Sequence, residues 1–486
     1  MRIIGNDPSV PRQTQEVASG TMTNGTAVVV NSDGTVSVVA ETAEALGSAT
    51  VFEAAEVDRI GIAFDSSNNK VVIAYKDYGN SGAGTAVVGT VSGTSISFGT
   101  PVVFYDASSL QGTGDAGIDA TFDSSNNKVV LAWPVSSSGK AIVGTVSGTS
   151  ISFGSVAEFE NGGATEIYTT FDSSNNKVVI AYADTGNGNY GTAVVGTVSG
   201  TSISFGTPVV YQSATTNHIG ITFDSNSNKV VIAYRDNTSS GYGEVTVGTV
   251  SGTSISFGSQ YIFSTQSSGG ISETSITFDS SSNKIVVAWQ DGTASNKGAA
   301  VVGTVDGTAV TFGDKVFFET GSTDDISATF DTSVSKIVIA YKDTSNSNYG
   351  TYAVGTVSGT SITFDTPVVF EAAYTQFPHA VYDSNAERIV IAYQDVGNSQ
   401  HGTSIVLRNG STNITSENYI GIARSGAASG AGALVDTQGA IADNLSGLTA
   451  GQSYYVQNDG TLGTTAADPS VFAGTAVSAT KLIVKG

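Results

Sequence analysis

The chain has 486 residues, 42 acidic and 20 basic, so its net charge is −22 although only 13% of the residues are charged. This thin negative charge argues against nucleic acid and anionic membranes as partners, since both need a concentrated positive patch. Cysteine is absent and the three histidines are dispersed, which excludes disulfides, thiolate nucleophiles, iron–sulfur clusters and Cys/His zinc sites. We therefore expect no cofactor.

The composition is typical of an all-β protein. Glycine contributes 58 residues and proline 8, β-branched and aromatic residues are abundant, and apolar residues do not recur at helical spacing. The first 20 residues lack the apolar core of a signal peptide, and no stretch is apolar enough to span a membrane. We expect a protein made in a cytoplasm without a signal peptide.

The first predicted elements are an N-terminal arm, residues 1–24, and a half-unit, residues 25–52. In this half-unit Thr26 and Gly34 match Thr85 and Gly93 of the repeat that follows. A half-unit at the start of a ring can pair with the last hairpin and remove two exposed sheet edges. We therefore predict that residues 25–52 share a sheet with residues 380–393.

A repeat of about 52 residues then occurs seven times. Each copy has an aromatic residue followed by Asp, a basic residue five positions after the Asp, and Tyr or Trp ten positions after it. The repeated Asp residues are Asp65, Asp123, Asp172, Asp224, Asp279, Asp331 and Asp383. The Tyr or Trp residues are Tyr75, Trp133, Tyr182, Tyr234, Trp289, Tyr341 and Tyr393.

Four strands can be assigned within the first copy. They are residues 60–64, 71–75, 85–91 and 95–104, with polar or glycine turns between them. Four antiparallel strands per unit of this length predict a seven-bladed β-propeller of four-stranded blades over residues 25–409. Residues 403–408 also resemble the third strand of a repeat, which gives eight candidates for seven blades. We assign residues 403–408 to a segment that leads out of the ring.

Residues 410–486 leave the repeat but keep a β-like composition. They predict a C-terminal β domain or an attachment arm that mediates attachment or self-association as a homo-oligomer. A cap covering one blade is the alternative.

The polar turn at residues 65–69 has oxygen-bearing side chains at alternating positions, as calcium loops do. It lacks the glycine and bidentate acid of such loops, so we favour a hairpin turn with a hydrogen-bonded Asp and predict no metal. A second set of acids follows the strand aromatic by two residues, and we favour turn-initiating Asx residues over an acidic ligand ring. This second set is Asp77, Asp184, Asp236, Asp291, Asp343 and Asp395.

No catalytic residues are predicted. Carboxylates are plentiful in the variable loops without a defined pair, and His218, His379 and His401 have no Ser or Cys partner at a motif-like position. The loop carboxylates are Glu53, Glu56, Asp58, Asp115, Asp119, Glu166, Glu273, Asp324, Asp325 and Glu371.

Three parts of the sequence carry a resemblance: NDPSVPRQTQEVASG near the start, the repeat FDSSNNKVVIAY…GTAVVGTVSGTSISFGTPVVF, and the ending GLTAGQSYYVQNDGTLGTTAADPSVFAGTAVSATKLIVKG. They resemble the repeat-bearing virion structural proteins of marine tailed phages, especially cyanophages. The resemblance implies a non-enzymatic tail fibre, spike or capsid-surface protein that contacts other virion proteins and a host surface glycan or receptor. A capsid decoration or connector with a purely structural role is the alternative, and a glycan-cleaving propeller is a third.

The two ends of the predicted ring differ in how much their loops vary. The turns DSSNNK and SGTS barely change between copies, whereas the links between blades differ greatly. Because varied loops can build one asymmetric surface on a rigid scaffold, we predict that the link end binds the ligand. The candidate ligand-contacting aromatics are Tyr78, Tyr105, Tyr168, Tyr190, Tyr242, Tyr349, Tyr374 and Phe377.

Overall fold

The computed structural model describes residues 12–106, 110, 117–136, 138–239, 241–265, 269–467 and 469–485. In this part of the chain the regular structure is β-strand with four short 3₁₀ turns, and no helix is long and apolar enough to cross a membrane. The chain divides into two compact units. One comprises residues 45–408, and the other combines the two chain ends, up to residue 44 and from residue 409 onward.

Within residues 45–408, the described strands pair into seven antiparallel groups of four, one per repeat. The second strands are Lys70–Asp77, Lys128–Val135, Lys177–Asp184, Lys229–Asp236, Lys284–Asp291, Lys336–Asp343 and Arg388–Asp395. The third strands are Ala83–Ser92, Ser138–Ser147, Tyr190–Ser199, Tyr242–Ser251, Lys297–Asp306, Tyr349–Ser358 and His401–Arg408. The short 3₁₀ turns between them are Tyr78–Asn80, Thr185–Asn187, Gly292–Ala294 and Val396–Asn398.

The fourth strand of each blade is interrupted and therefore has two parts, an initial part and an outer part. The outer part comes second in the chain and leads to the first strand of the next blade. Its initial parts are Ala45–Leu46, Ser95–Phe98, Ser150–Phe153, Ser202–Phe205, Ser254–Phe257, Ala309–Phe312 and Ser361–Phe364. Four continuous strands join the outer part to the next first strand: Thr50–Asp65, Val209–Asp224, Val316–Asp331 and Val368–Asp383. The three remaining outer parts are Val102–Tyr105, Ala157–Asn161 and Tyr261–Ser264, and the three separate first strands are Asp119–Asp123, Ala164–Asp172 and Ile271–Asp279.

The first strands close into a ring. Each one contacts the first strand of the next blade, and the one in Val368–Asp383 contacts the one in Thr50–Asp65. The seventh blade obtains its fourth strand from the start of the unit, because Leu46 pairs with Leu407 and Val51 with Thr403. The all-β propeller predicted from the repeat is therefore confirmed.

The repeated aromatic of the second strand forms the core between neighbouring blades. All seven of these rings are fully buried, and Tyr341, for example, packs against Phe318 with ring centroids 5.2 Å apart. Where this aromatic is Tyr, its hydroxyl donates to a Glu carboxylate, as Tyr341 does to Glu319 at 2.8 Å. Where it is Trp133 or Trp289, the indole nitrogen has no hydrogen-bond partner.

Close backbone contact between blades explains a repeated glycine. A Cβ at Gly99, which follows the strand Ser95–Phe98, would lie 1.8 Å from the carbonyl oxygen of Thr149 in the next blade. Any side chain there would force the blades apart, so glycine is required at this contact.

The second unit is also built from β-strands. One five-stranded sheet contains Gln13–Val17, Gly432–Asp436, Tyr419–Ala423, Ala27–Val30 and Val36–Val38 in that order. A second contains Ile441–Ala442, Lys481–Val484, Val471–Ser478, Ser453–Val456 and Leu462–Gly463, and Glu41–Thr42 pairs with Ser411–Thr412. Gln13 donates to Asp436 at 2.8 Å, so the two chain ends are hydrogen-bonded into one sheet.

The predicted domain boundaries need correction. Residues 25–44 do not belong to the ring, because Ala27–Val30 pairs with Val36–Val38 and Tyr419–Ala423 in the second unit. The N-terminal part contributes one strand to the seventh blade instead of a half-blade, and it pairs with residues 401–408 and not with 380–393. His401–Arg408 is the third strand of that blade, so it does not lead out of the ring.

The predicted arm and C-terminal segment also change. Residues 12–24 contain the strand Gln13–Val17 and are part of the same unit as residues 409–485, whereas residues 1–11 lie outside the described residues. The C-terminal segment is β-structured, as predicted, but its sheet is completed by strands from the N-terminus.

Candidate functional site

A cavity of about 170 Å³ lies where the seven first strands converge. Every blade contributes to its lining, and the contributing residues lie at the beginning of the first strands, where the links enter. The cavity is therefore at the end of the ring that the sequence predicts to bind a ligand. The opposite end carries the repeated turns, where Arg388 donates from its Nε to the carbonyl oxygen of Gly93 in the neighbouring blade.

In six of the seven blades, a β-bulge places one variable residue at this end. In the first blade the pairing with the second strand skips from Asp58 to Gly61, which leaves Arg59 and Ile60 outside the regular ladder. Comparable irregularities occur in the five blades from the third to the seventh. Bulges redirect side chains and are frequent beside binding sites.

We call the position six residues before each repeated Asp the bulge position. Its occupants in blade order are Arg59, Gly117, Glu166, His218, Glu273, Asp325 and Phe377. The six non-glycine residues all have φ between 49° and 55°, in the left-handed region. This conformation costs a non-glycine residue about 1 kcal/mol or more, so the chain keeps six strained side chains of five chemical types at this end.

The next residue in each blade is almost always a buried isoleucine. Ile60, Ile118, Ile167, Ile219 and Ile326 occupy this position, and Thr274 and Pro378 are the exceptions. Thr274 is only 5% exposed and its hydroxyl has no hydrogen-bond partner. The cavity thus has an apolar layer with one unsatisfied hydroxyl in its fifth blade.

Below this layer, hydrogen bonds join neighbouring first strands. Asp119 accepts from the backbone N and the hydroxyl of Thr169, both at 2.6 Å. Ser275 and Ser327 accept from the backbone N of Ala328 and Ala380, at 3.0 and 3.1 Å. Burial raises the pKa of Asp119 to about 6, although the Thr169 hydrogen bonds oppose this shift.

Two histidines of the first strands lie at this end, and both are neutral at pH 7. Burial lowers the pKa of His218 to about 4, with the positive charge of Arg235 acting in the same direction, and burial alone lowers the pKa of His379 to about 4. The backbone N of Glu273 donates to Nδ1 of His218 at 3.2 Å, which requires that nitrogen to be unprotonated. The 3.7 Å approach of this nitrogen to the Glu273 carboxylate is therefore no ion pair at neutral pH.

The most charged part of the cavity end lies in the fifth and sixth blades. Carboxylate oxygens of Glu273, Asp324 and Asp325 come within 4.8 Å of one another. The ammonium of Lys342 lies 2.8 Å from both aspartates. Burial opposes the charge of Lys342, but the attraction and hydrogen bonds of Asp325 and Asp324 together raise the pKa of Lys342 above its usual value.

The eight predicted ligand-contacting aromatic residues do not form one group in the structure. Tyr168 and Phe377 line the cavity. Tyr78 and Tyr374 are exposed, and Tyr105 packs against Trp133. Tyr190, Tyr242 and Tyr349 begin the third strands of their blades, each paired in register with an Asp that ends the second strand.

The repeated Asp residues act in turns. Asp65 is buried and accepts from Ser67 N, Ser67 Oγ and Asn68 N at 2.9, 2.6 and 3.1 Å, so its oxygens are used by the hairpin. In the second Asp set, five members accept from backbone amides of the following turn, as Asp77 does from Asn80, whereas Asp184 has no such bond. The turn interpretation is confirmed for these five and for the hairpin Asp.

From the sequence, several residues of the cavity were recognised only as loop carboxylates or as histidines outside any known motif. The structure brings Asp58, Asp119, Glu273, Asp325 and His379 together around the cavity. Glu53 and Glu371 instead accept from the hydroxyls of Tyr75 and Tyr393, and Asp115 lies outside the described residues. One signal could have identified the set: the bulge position holds six residue types in seven blades, whereas the residue after it is Ile in five of them.

Comparisons with known proteins return only remote structural similarity. No protein-family model matches the chain, and no curated protein sequence matches it significantly. The chain is similar to a protein of unknown function from Dyadobacter fermentans DSM 18053, at 10% identity over 75% of this chain and 99% of that chain, with a TM-score of 0.46. It is also similar to the periplasmic gluconolactonase PpgL of Pseudomonas aeruginosa (11% identity, 74% and 97% of the two chains, TM-score 0.49) and the NanB sialidase of Streptococcus pneumoniae (12%, 74% and 69%, 0.42).

Proposed function

We propose that this protein is a non-enzymatic recognition protein of a virion surface, a tail fibre or surface protrusion, and that the cavity end of its ring contacts a host surface glycan or protein. The virion setting follows from the sequence resemblance to phage structural proteins. The recognition role is supported by the bulge position, where seven blades present six different residue types while the surrounding repeat is preserved. Left-handed backbone also occurs in the turns at the opposite end, but there it is mostly at Asn, which tolerates it, whereas at the cavity end it is retained at Arg, Glu, His, Asp and Phe, as is common at functional sites.

The chemistry at this end suits binding better than catalysis. The hydroxyls of Ser275 and Ser327 and the carboxylate of Asp119 accept hydrogen bonds that join blades. Neutral His218 uses Nδ1 to accept from a backbone amide. Aromatic rings beside carboxylates, as at Phe377 and Asp325, provide a stacking surface and acceptors for hydroxyl groups, which is the usual composition of a sugar-binding surface.

The test compares two glycine substitutions in the seventh blade. Phe377 and Glu387 both have a left-handed backbone, with φ of 52° and 56°, but Phe377 lines the cavity and Glu387 is exposed in the turn at the opposite end. Both Phe377→Gly and Glu387→Gly relieve backbone strain. We expect Phe377→Gly to weaken binding of the purified protein to host envelope polysaccharide about tenfold or more, and Glu387→Gly to leave it unchanged.

The same incubation separates the alternatives. Equal effects of both substitutions, or no binding by the unmodified protein to host cells or their polysaccharide, would contradict recognition and favour a structural decoration or connector. Release of shortened oligosaccharides would contradict the non-enzymatic assignment. Absence of the protein from purified particles would contradict the virion setting.

A further inference from the structure

We propose that Arg235, at the cavity end of the fourth blade, binds the carboxylate group of an acidic sugar. This inference rests on the proposed function, since it names the chemical class of ligand for the same end of the ring. Arg235 lies in the second strand Lys229–Asp236 and pairs in register with Asn217, the residue before the bulge position. It is therefore at the end of the ring where the links enter.

The guanidinium of Arg235 has no counter-charge among the residues that the structure describes. None of them forms an ion pair or a hydrogen bond with it. Of its three nitrogens only Nε is fully buried, so the two terminal nitrogens are accessible from the surface. An ionised guanidinium forms its strongest hydrogen bonds with a carboxylate, because both terminal donors can bind at once.

The two acids of the same hairpin are engaged elsewhere. Asp236 accepts from the backbone N of Thr238 at 2.8 Å, within the turn that follows the strand. Glu244 accepts from the hydroxyl of Tyr234 at 3.0 Å. Neither carboxylate pairs with Arg235, so the hairpin leaves this cation without an internal partner.

The corresponding position in the sixth blade shows what Arg235 lacks. There Lys342 follows the repeated aromatic, and the residue opposite in register is Asp324, whose carboxylate lies 2.8 Å from the ammonium. Opposite Arg235 the residue is Asn217, which carries no charge. Directly opposed residues of antiparallel strands project from the same face of the sheet. A ligand carboxylate would thus supply the charge that Asp324 supplies in the sixth blade.

Two glycines leave room for the guanidinium. A Cβ at Gly241 would lie 2.9 Å from Nε of Arg235, and a Cβ at Gly270 would lie 2.9 Å from Nη2. Any side chain at either position would displace the guanidinium. The undescribed residues close to these glycines in the sequence, 240 and 266–268, are serines and one glutamine, so they bring no negative charge.

Tyr242 favours a sugar as the carrier of the carboxylate. It follows Gly241 directly and is partly exposed, and its hydroxyl has no hydrogen-bond partner in the described part of the chain. A pyranose ring offers C–H groups to an aromatic face and hydroxyls to a phenol. The side chain of Asp or Glu offers a carboxylate without either feature, so we expect a uronic acid to bind better than an acidic peptide.

The experiment is isothermal titration of the full chain with sodium D-glucuronate in about 0.1 M NaCl, where distant charges of the chain are screened. D-glucose is the uncharged comparison, N-acetyl-L-aspartate methylamide presents a carboxylate on a peptide, and sodium sulfate tests an unselective anion site. We expect glucuronate to bind with a Kd on the order of 1 mM, about tenfold more tightly than glucose and more tightly than the other two.

Matched variants locate the site. Arg235→Gln should weaken glucuronate binding about tenfold. Lys76→Gln removes a cation from the same repeat position in the first blade, where the ammonium lies over the ring of Tyr78, and should have no effect. Asn217→Asp places a carboxylate opposite Arg235, so it should abolish glucuronate binding while keeping or raising the midpoint of thermal unfolding. This midpoint is measured for every variant so that misfolding is recognised.

Each outcome decides the proposal. Equal binding of glucose and glucuronate, equal effects of Arg235→Gln and Lys76→Gln, or undiminished binding by Asn217→Asp would overturn it. Tighter binding of the aspartate derivative or of sulfate would overturn the acidic sugar. Absence of glucuronate binding, while Phe377→Gly still weakens host polysaccharide binding, would overturn this site alone. Glucuronate binding without any effect of Phe377→Gly on host polysaccharide would support the site and contradict the proposed function.

Discussion

The two ends of the ring use the same repeat in opposite ways. At the turn end, the Asp that ends each first strand is buried and accepts hydrogen bonds from the following turn in all seven blades. At the cavity end, the position six residues earlier holds six different residue types in the seven blades, and only Glu occurs twice. A single chain thus keeps one end uniform through local hydrogen bonds and makes the other end asymmetric through a strained bulge.

The largest effect is expected from breaking a repeated turn. Asp172 is buried and accepts from the backbone N of Ser174 and of Asn175 at 2.9 and 3.0 Å. Asp172→Ala leaves these donors without their acceptor and should lower the free energy of unfolding by about 3 kcal/mol. Urea denaturation measures the change. Asp184→Ala is the control at the other end of the same hairpin, and because Asp184 makes no cap hydrogen bond, a loss as large as that of Asp172→Ala would contradict the comparison.

The next effect concerns pH at the cavity end. The folded pKa of His379 is about 4, below its unfolded value near 6.5, so the unfolded chain binds more protons between these pH values. Stability contributed by neutral His379 is present above pH 6.5 and is lost as the pH falls towards 4. Without His379, the unfolding free energy should fall less steeply with decreasing pH, by up to about 1.4 kcal/mol per pH unit. The measurement is the difference in unfolding free energy between His379→Gln and the unmodified protein at each pH.

That difference measurement is needed because Asp119 acts in the opposite direction. Its pKa is raised to about 6, so the folded state binds more protons than the unfolded state as the pH falls from 6 towards 4. Parallel pH curves for His379→Gln and the unmodified protein would show that His379 is not buried in its neutral form.

A smaller effect is expected from the polar contact of the aromatic core, which is common to most blades. Tyr341→Phe removes the hydroxyl that donates to Glu319 and should lower the unfolding free energy by about 1 kcal/mol. Combining it with Glu319→Gln in a double-mutant cycle measures the coupling directly. Additive effects of the two changes would mean that the hydrogen bond contributes nothing to stability.

The smallest effect tests uniformity at the turn end. Five repeats have Asn at the fourth position after the repeated Asp, whereas Ser335 and Glu387 occupy it in the last two, with φ of 54° and 56°. Asn tolerates the left-handed conformation better than Ser or Glu, so Ser335→Asn and Glu387→Asn should each raise the unfolding free energy by about 0.5 kcal/mol. A decrease in either variant would contradict the view that this end is selected only for its turn.

The strands that close the ring were predicted wrongly when residues 25–52 were compared with the repeats. Residues 25–44 have the apolar run and the Asn-Ser-Asp-Gly turn of any β-hairpin, so their match to half a repeat did not identify their partner. Residues 401–408 follow the second strand of the seventh blade through the short turn Val396–Asn398. Pairing with such a close neighbour costs little loop-closure entropy, and only one further strand from the N-terminus is then needed.

The sequence predicted one part of the candidate site correctly and missed another. Sequence comparison placed the ligand at the link end, and Tyr168 and Phe377 do line the cavity there. It treated Glu273 and Asp325 as two carboxylates among many, because their proximity depends on two different blades meeting at the centre of the ring.

The sequence by itself determined the all-β class, the number of repeats and the turns, because these depend on residue periodicity and on side chains that bond within a few positions. The tertiary structure decided which strands close the ring, which segments form the second unit and which loop residues meet in the cavity. These features depend on contacts between residues hundreds of positions apart, such as Gln13 with Asp436, and neither residue carries a local pattern that identifies the other.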